Sequence, residues 1–333
     1  MTRIAVIGAG AWGTTLADLL ARKGDAVNLW AREPEVVESI NQTHLNRLFL
    51  PGSPLAEGVR AHGDIADAVR GAEVLVSAAP SHAVREVMTR AAEAVRGRAL
   101  VVSVSKGLEP ERLTTLSCVL RDVMPTGTEI AVLSGPSFAQ EVYAGWPTAV
   151  VAAAEDHAIA QRVQQIFSTG SFRVYSHTDV QGVELGGALK NVIAVAAGIL
   201  DGLGLGHNAR AALITRGLAE ITRLGVALGA EAATFAGLAG MGDLILTATG
   251  MLSRNYALGT ELGRGARPGD ALRNRVTTTE GVYTARVAVA LGERHGVELP
   301  ISSEVAEVLF HDKPPRLAVG ALMERALKAE QWR

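Results

Sequence analysis

The sequence predicts an α/β half, built as a mainly parallel sheet covered by helices on both faces, followed by an all-α half. Three observations predict it. The chain opens on a β-branched apolar run, a glycine turn and a helix-periodic stretch, in that order. Short apolar runs then alternate with helix-periodic segments as far as about residue 178, and strands alternating with helices make a parallel sheet. From Val180 onward only the helical period persists. With 333 residues, 48% of them hydrophobic, the chain can bury two cores at about 150 residues per domain. The expected units are residues 1–178, binding a dinucleotide, and residues 179–333, a helical unit carrying substrate and catalytic groups.

Arg3–Ile7 is the first expected strand, and Thr14–Arg22 has helical periodicity. Ala26–Trp30 is the second strand. Glu73–Ala78 is a further strand, and Pro80-Ser-His82 opens a helix to about Val95. Leu100–Val104 ends at Ser105-Lys-Gly107, and Glu129–Ser134 ends at Gly135-Pro-Ser137. Thr148–Ala154 and Phe172–Ser176 enclose an amphipathic helix from about Asp156 to Phe167. Beyond the boundary, helices are expected at about Val180–Leu200, His207–Leu228, Asn255–Leu262, Glu280–His295 and Ser302–Leu309, with a last one after Pro315.

Gly8-Ala-Gly-Ala-Trp-Gly13 follows a strand and opens a helix, the setting that gives the G-x-G-x-x-G pattern its meaning. Gly8 permits the tight turn, Gly10 lets backbone approach a pyrophosphate, and Gly13 lets helix pack on strand. The helix N-terminus then offers free N–H groups to the phosphates. The alternative is a glycine turn without a ligand. At the end of the second strand, an acid suits the ribose hydroxyl of NAD and an arginine suits the 2′-phosphate of NADP. Ala31-Arg-Glu33 offers one of each, and Arg32 favours NADP over NAD.

Lys190 is the only charged residue between Glu184 and Asp201. Its neighbours at helical spacing, Gly186, Gly187, Ile193, Ala194 and Ala197, are small or apolar, which places the amine on a buried helix face. Burial disfavours the charged form and brings a lysine toward proton exchange near neutral pH. The bland alternative is a lysine that snorkels to water. Three further clusters stand out. Gly240-Met-Gly-Asp243 sets a lone acid in apolar surroundings, and Ser253-Arg-Asn255 sits where a helix begins and suits an anion. Thr277-Thr-Thr-Glu280 fits a helix cap. Lys106, Gly135 and Ser137 fall at strand carboxyl ends, where ligands lie in such sheets.

Formal net charge is -2, which points to neither nucleic acid nor an anionic membrane surface. The single cysteine excludes an internal disulfide and a cysteine-based zinc site, and the histidines lack metal-ligand spacing, so no metal is expected. The N-terminus reads as a strand rather than a signal peptide, and no apolar run is expected to reach the roughly 20 residues of a membrane span. A soluble cytoplasmic protein follows as the expectation, and its apolar helical half is compatible with a homodimer.

Taken together, Gly8-Ala-Gly-Ala-Trp-Gly13, Ser105-Lys-Gly107, Ser134-Gly-Pro-Ser-Phe-Ala139, Gly187-Ala-Leu-Lys-Asn191, Gly240-Met-Gly-Asp243, Ser253-Arg-Asn255 and Glu280-Gly281 resemble, over nearly the whole length, the bacterial-type NAD(P)-dependent glycerol-3-phosphate dehydrogenases. The resemblance implies interconversion of dihydroxyacetone phosphate and sn-glycerol 3-phosphate, feeding glycerophospholipid synthesis. It implies Lys190 as the proton donor to the ketone oxygen. It implies substrate contacts from Lys106, Gly135, Ser137, Lys190, Asp243, Ser253, Arg254 and Asn255. Cofactor contacts are implied for Ala11, Trp12, Arg32, Lys106, Ala139, Arg254, Thr278 and Glu280, beside the turn glycines. Two positions depart from the family pattern: Thr278 stands where an apolar residue is expected, and Ala11 where serine is frequent. Two other readings compete. One is a hydroxy-acid or 6-phosphogluconate dehydrogenase relative taking a carboxylate substrate. The other is a nucleotide-binding sensor without turnover, which would need neither a buried lysine nor a phosphate cluster.

Overall fold

The computed structural model describes residues 2–273, 278–327 and 329–330. Its strands are β1 (Arg3–Ile7), β2 (Ala26–Trp30), β3 (Val59–His62), β4 (Val74–Ser77), β5 (Leu100–Ser103), β6 (Leu108–Glu109), β7 (Thr114–Thr115), β8 (Glu129–Ser134), β9 (Thr148–Ala153) and β10 (Phe172–His177). Eight of them form one sheet in the order β10-β9-β8-β5-β4-β1-β2-β3, and β6 and β7 pair in a small antiparallel ribbon. All neighbours in the large sheet are parallel except β8 and β9.

Every residue of β4 and β5 is buried, as their unbroken apolar runs require of strands covered on both faces. In β1 the two-residue period divides the core. Ile4 and Val6 join Leu16 and Leu20 on one face, while Ala5 and Ile7 join Val84, Met88 and Leu116 on the other. The chain runs outward from β1 to β3 and then returns to β4 on the other side of β1, so a crevice opens at the carboxyl ends of β1 and β4.

The reversal at β9 has a consequence for the second half. Because β9 and β10 run opposite to β8, β10 ends at the far edge of the sheet, and the helix Val180–Gly202 starts there and climbs back along β8. Val180 and Val183 pack with Val132 and Ala153. A Cβ on Gly187 would come 2.5 Å from Ser134 Oγ, at the end of β8. Ten residues of helix rise about 15 Å, so Lys190 arrives at the carboxyl edge of the parallel strands.

This helix is buried along nearly its whole length. Backbone contact holds it there: Cβ atoms on Gly198 and Gly202 would lie 2.1 Å from Tyr256 O and 2.4 Å from Thr260 O, and those on Gly259 and Gly263 would lie 2.0 Å from Val195 O and 2.4 Å from Ile199 O. Two glycine pairs thus interlock the helices Val180–Gly202 and Arg254–Gly263.

The structure departs from expectation at several points. β3 has only Val59 and Ala61 as apolar residues, too few to announce a strand. The helices Pro34–Thr43, Ile65–Val69, Leu116–Val123, Ala139–Tyr143, Ala232–Phe235, Asp243–Thr249 and Pro268–Arg273 and the β6–β7 ribbon are further elements, most of them too short for a periodic signal. The segment after Pro80 begins as a 3₁₀ turn, Ser81–Ala83, and becomes α-helical at Val84. The expectation that no apolar run matches a membrane span fails. Val180–Gly202 and Ala232–Thr249 are long and apolar enough by composition, and the most apolar stretch of the first is fully buried inside the protein, which makes it a core helix.

Gly259→Ala is expected to destabilise the fold by about 3 kcal/mol, because backbone rather than a movable side chain blocks the added methyl. Urea unfolding of the two proteins checks this; an unchanged midpoint would show that the helices have room to separate.

Candidate active site

The glycine turn is shaped by contact on two sides and open on the third. Gly8 has φ +123°, and its Cβ would meet Ala78 backbone at 2.8 Å. Gly13 lies so close that its Cβ would sit 2.0 Å from Gly8 O, whereas a Cβ on Gly10 meets nothing within 4 Å. The helix Ala11–Arg22 starts from Gly10 with no side-chain cap and no acid in its first turn, so its leading N–H groups face the open side. Beneath the turn, buried Asn46 donates to Ala9 O and Thr14 Oγ1, both at 2.8 Å, and accepts from Phe49 N. Trp12 is half-buried, and its Nε1 is buried without a hydrogen-bond partner. Ala139 sits beside the turn, its carbonyl accepting from Thr15 Oγ1 at 3.3 Å. These residues fit a dinucleotide: a cradle shut by glycines, an uncapped helix start for the pyrophosphate and a braced floor.

Arg32 follows β2 at the same edge. Its guanidinium side chain is 83% exposed and reaches Glu33 Oε1 at 2.7 Å. The arginine and the acid that the sequence offered as rivals are therefore a pair.

Across the crevice, Lys190 is 5% exposed and Asp243 1%. Lys190 Nζ donates to Asp243 Oδ1 and to Thr247 Oγ1, both at 2.6 Å. Thr247 Oγ1 in turn donates to Asp243 O at 2.6 Å, so its lone pair faces the amine. Asp243 and Thr247 stand four residues apart on one face of the helix Asp243–Thr249. Lys106 Nζ takes the other carboxylate oxygen at 2.8 Å, donates to Gly135 O at 2.8 Å, and lies 3.4 Å from Ser137 Oγ. Desolvation pushes the Lys190 amine down to about 7; Asp243 works against that shift, and Lys106 adds to it. An ammonium has three donors. Among the described residues two are engaged, which leaves one for a bound oxygen.

The helix Arg254–Gly263 begins beside this group. Ser253 caps it, accepting from Tyr256 N at 3.2 Å, and Arg254 lies exposed in its first turn. Asn255 turns inward, donating to Asn191 Oδ1 at 2.9 Å and accepting from Gly281 N at 2.9 Å. The Asn255 amide is therefore engaged inside the protein, and an anion at this helix start would be left to Arg254 and the leading N–H groups.

The capping role expected for Thr277-Thr-Thr279 needs correction. Thr277 lies outside the described residues. Thr279 occupies the N-cap position of Glu280–His295, but its hydroxyl makes no cap bond and is buried without a partner among the described residues. Thr278 is half-buried just before it. Glu280 accepts from Ser81 N at 3.0 Å and from Ser81 Oγ, and burial raises its carboxyl above the usual range. It therefore joins the helical half to the turn after β4.

Sequence reasoning missed Thr247, Asn46 and Ser81. Thr247 had a signal, the four-residue spacing from Asp243, but the helix that gives the spacing its meaning was not foreseen.

A doubly wound sheet with a glycine turn at its switch point, faced by a helical half carrying a buried lysine, defines a two-lobed nicotinamide-dependent dehydrogenase. Two family models match the chain, the NAD-dependent glycerol-3-phosphate dehydrogenase N-terminus over residues 3–160 and its C-terminus over residues 179–320. A glycerol-3-phosphate dehydrogenase [NAD(P)+] of Geobacter sulfurreducens is 56% identical over 332 residues, covering 99% of each chain. One from Geobacter sp. strain M21 is 54% identical over 330 residues, covering 98% of each. The crystal structure of glycerol-3-phosphate dehydrogenase from Coxiella burnetii superposes with a TM-score of 0.93 at 39% identity, over 97% of this chain and 99% of that one. The chain belongs to the NAD-dependent glycerol-3-phosphate dehydrogenase family.

Gly10→Ala and Gly13→Ala separate the two roles of the turn. Gly13→Ala is expected to lower stability by about 2 kcal/mol or more, since the methyl meets backbone. Gly10→Ala is expected to keep the wild-type unfolding midpoint while weakening NADPH binding about ten-fold or more, since its methyl enters the space a pyrophosphate would take. Thermal melts and fluorescence titration give both quantities; wild-type affinity in Gly10→Ala would remove the phosphates from this turn.

Proposed function

We propose that the protein interconverts dihydroxyacetone phosphate and sn-glycerol 3-phosphate with NAD(P)H, supplying glycerophospholipid synthesis. The observation that carries this reading is the buried Lys190 ammonium, with one donor uncommitted among the described residues, sharing Asp243 with Lys106 at the carboxyl edge of the sheet. Residues 1–178 act as the dinucleotide half and residues 179–333 as the substrate half.

The nicotinamide supplies the hydride. Oxygen of the ketone gains negative charge as it does so, and the Lys190 ammonium stabilises that charge and then gives up its proton. Asp243 and Thr247 hold the amine in place and keep a counter-charge beside it. Lys106, Gly135 and Ser137 line the same edge, and Asp243, Ser253 and Asn255 shape the substrate side. Arg254, at a helix start, takes the phosphate, for which a guanidinium and leading N–H groups are suited. Ala11, Trp12, Ala139, Thr278 and Glu280 flank the dinucleotide. Arg32 lies where an adenosine 2′-phosphate would fall and favours NADPH, while NADH remains a substrate. A phosphorylated ketone suits this arrangement better than a keto acid, because Arg254 at its helix start supplies a second cationic group besides the lysine that faces the carbonyl.

In an assay of dihydroxyacetone phosphate against a panel of keto acids with both nicotinamides, only the phospho-ketone is expected to turn over. Lys190→Ala is expected to lower kcat about a thousand-fold with NADPH affinity unchanged. Near-normal turnover in that variant removes Lys190 from the chemistry.

The depressed lysine gives the pH dependence a sign. Ketone reduction needs the charged amine, so its rate is expected to fall as pH rises through about 7. Oxidation of glycerol 3-phosphate needs the neutral amine and is expected to rise over the same range. Profiles of kcat/KM in the two directions, measured on one preparation, check this; parallel profiles would refute it.

A further inference from the structure

The helix Val180–Gly202 carries a second buried charge, Glu184, which the proposed reaction does not use. Glu184 is 8% exposed. Its carboxylate accepts from Ser117 N at 2.8 Å and from Ser117 Oγ. Ser117 stands in the first turn of Leu116–Val123, a helix of the sheet half whose own N-cap residue, Thr115, makes no side-chain cap bond. Glu184 therefore caps that helix from across the boundary between the halves, where a carboxylate meets both free N–H groups and the positive end of the helix dipole. Desolvation raises its carboxyl, and the Ser117 bonds oppose that shift. A buried carboxylate is costly to keep, and this one ends on no ligand-facing group.

Glu184, Gly187 and Asn191 follow one another at helical spacing on one face. Each touches the sheet half: Glu184 at Ser117, Gly187 against Ser134 Oγ, and Asn191 Nδ2 donating to Lys106 O at 3.4 Å. Lys190 lies about 9 Å up the helix from Glu184 and about a third of a turn round it. A slide or rotation of the helix at Glu184 is thus passed directly to the amine. Asp243 would not follow, because it rides on a different helix.

We propose that Glu184 is a positioning residue, whose bond to the start of the Leu116–Val123 helix sets the height and rotation at which Lys190 meets its substrate. The inference rests on Lys190 as the proton donor. Helix-on-sheet packing alone gives the amine burial; the Glu184–Ser117 bond gives it register.

The test uses the full chain with Glu184→Gln and, separately, Ser117→Ala, which removes one donor and keeps the backbone N–H. A glutamine removes the negative charge from the start of the Leu116–Val123 helix and reverses the bond to Ser117 Oγ, which must then accept from the amide. The expected result in Glu184→Gln is a fall in kcat for ketone reduction of about ten-fold or more, as for a displaced catalytic group, with NADPH affinity unchanged. The pH midpoint of the reduction limb is expected to move by about half a unit or more, because the distance from Lys190 to Asp243 changes. Ser117→Ala is expected to shift both in the same direction by less, and it decides the matter alone if Glu184→Gln does not fold. A lowered melting temperature with wild-type kcat and midpoint overturns the inference and leaves a purely structural tie. Normal turnover in Lys190→Ala is a different outcome, which refutes the underlying reading and not the Glu184 bond.

Discussion

The arrangement depends on one electrostatic balance: an amine stripped of water and returned only part of what it lost. Water would solvate an ammonium on all sides. At Lys190 the protein supplies one carboxylate oxygen, one hydroxyl and a low-dielectric wall. The carboxylate cannot give its full charge, because its second oxygen belongs to Lys106. Two cations sharing one anion leave each under-neutralised, and the more deeply buried of the two pays in proton affinity. A fully paired lysine would hold its proton too tightly to release it near neutrality, and an unpaired one would not be charged at all.

Such a balance requires a backbone that does not yield. If the helices around Lys190 could part, water would enter and the amine would return toward its ordinary basicity. The glycine interlock between Val180–Gly202 and Arg254–Gly263 closes that route, since backbone rests directly on backbone. The reversal at β9 places the helix start so that the lysine reaches the carboxyl edge of the parallel strands. Three buried carboxylates then fasten the assembly in the same way. Glu184 on Ser117 and Glu280 on Ser81 join the halves, and Glu220 on Ser302 works within the helical half. In each, a carboxylate accepts both the N–H and the hydroxyl of a serine at a helix start, and these bonds outweigh the nearby cations Arg121, Arg223 and Arg254.

How much of this the sequence disclosed follows the range of the interactions. The burial of Lys190 was legible because it is a periodic, local property of one helix. The glycine turn was legible because three glycines and the helix they lead into follow one another between Gly8 and Arg22, and the structure gives each glycine the separate geometry that its place implies. The partners of Lys190 were not legible as partners. Asp243 was visible as a lone acid, but its distance of 53 residues along the chain hides the contact. Thr247 was hidden further, because the seven-residue helix that aligns it with Asp243 is too short for a hydrophobic period. Thr277-Thr-Thr-Glu280 misled, since the local cap pattern competes with a long-range bond from Glu280 to Ser81 and loses to it. The long apolar helix was underestimated, because Glu184 and Lys190 interrupt its run in the sequence although Val180–Gly202 as a whole reaches the length and composition of a membrane span.

The two halves consequently carry different parts of the selectivity. The sheet half offers generic features, an uncapped helix start and a glycine cradle, which fit any dinucleotide; in the proposed reading Arg32 and Glu33 discriminate at the ribose. The helical half supplies what is particular: one amine tuned near neutrality, one anion shared between two lysines, and a cation at a separate helix start. The site draws on both halves, because Lys106, which lowers the proton affinity of Lys190, comes from the loop after β5. Juxtaposition of the halves thus sets the acid strength of the amine as well as the distance between reactants. That is why the contacts at their boundary are built from buried charge and backbone instead of exposed, adjustable side chains.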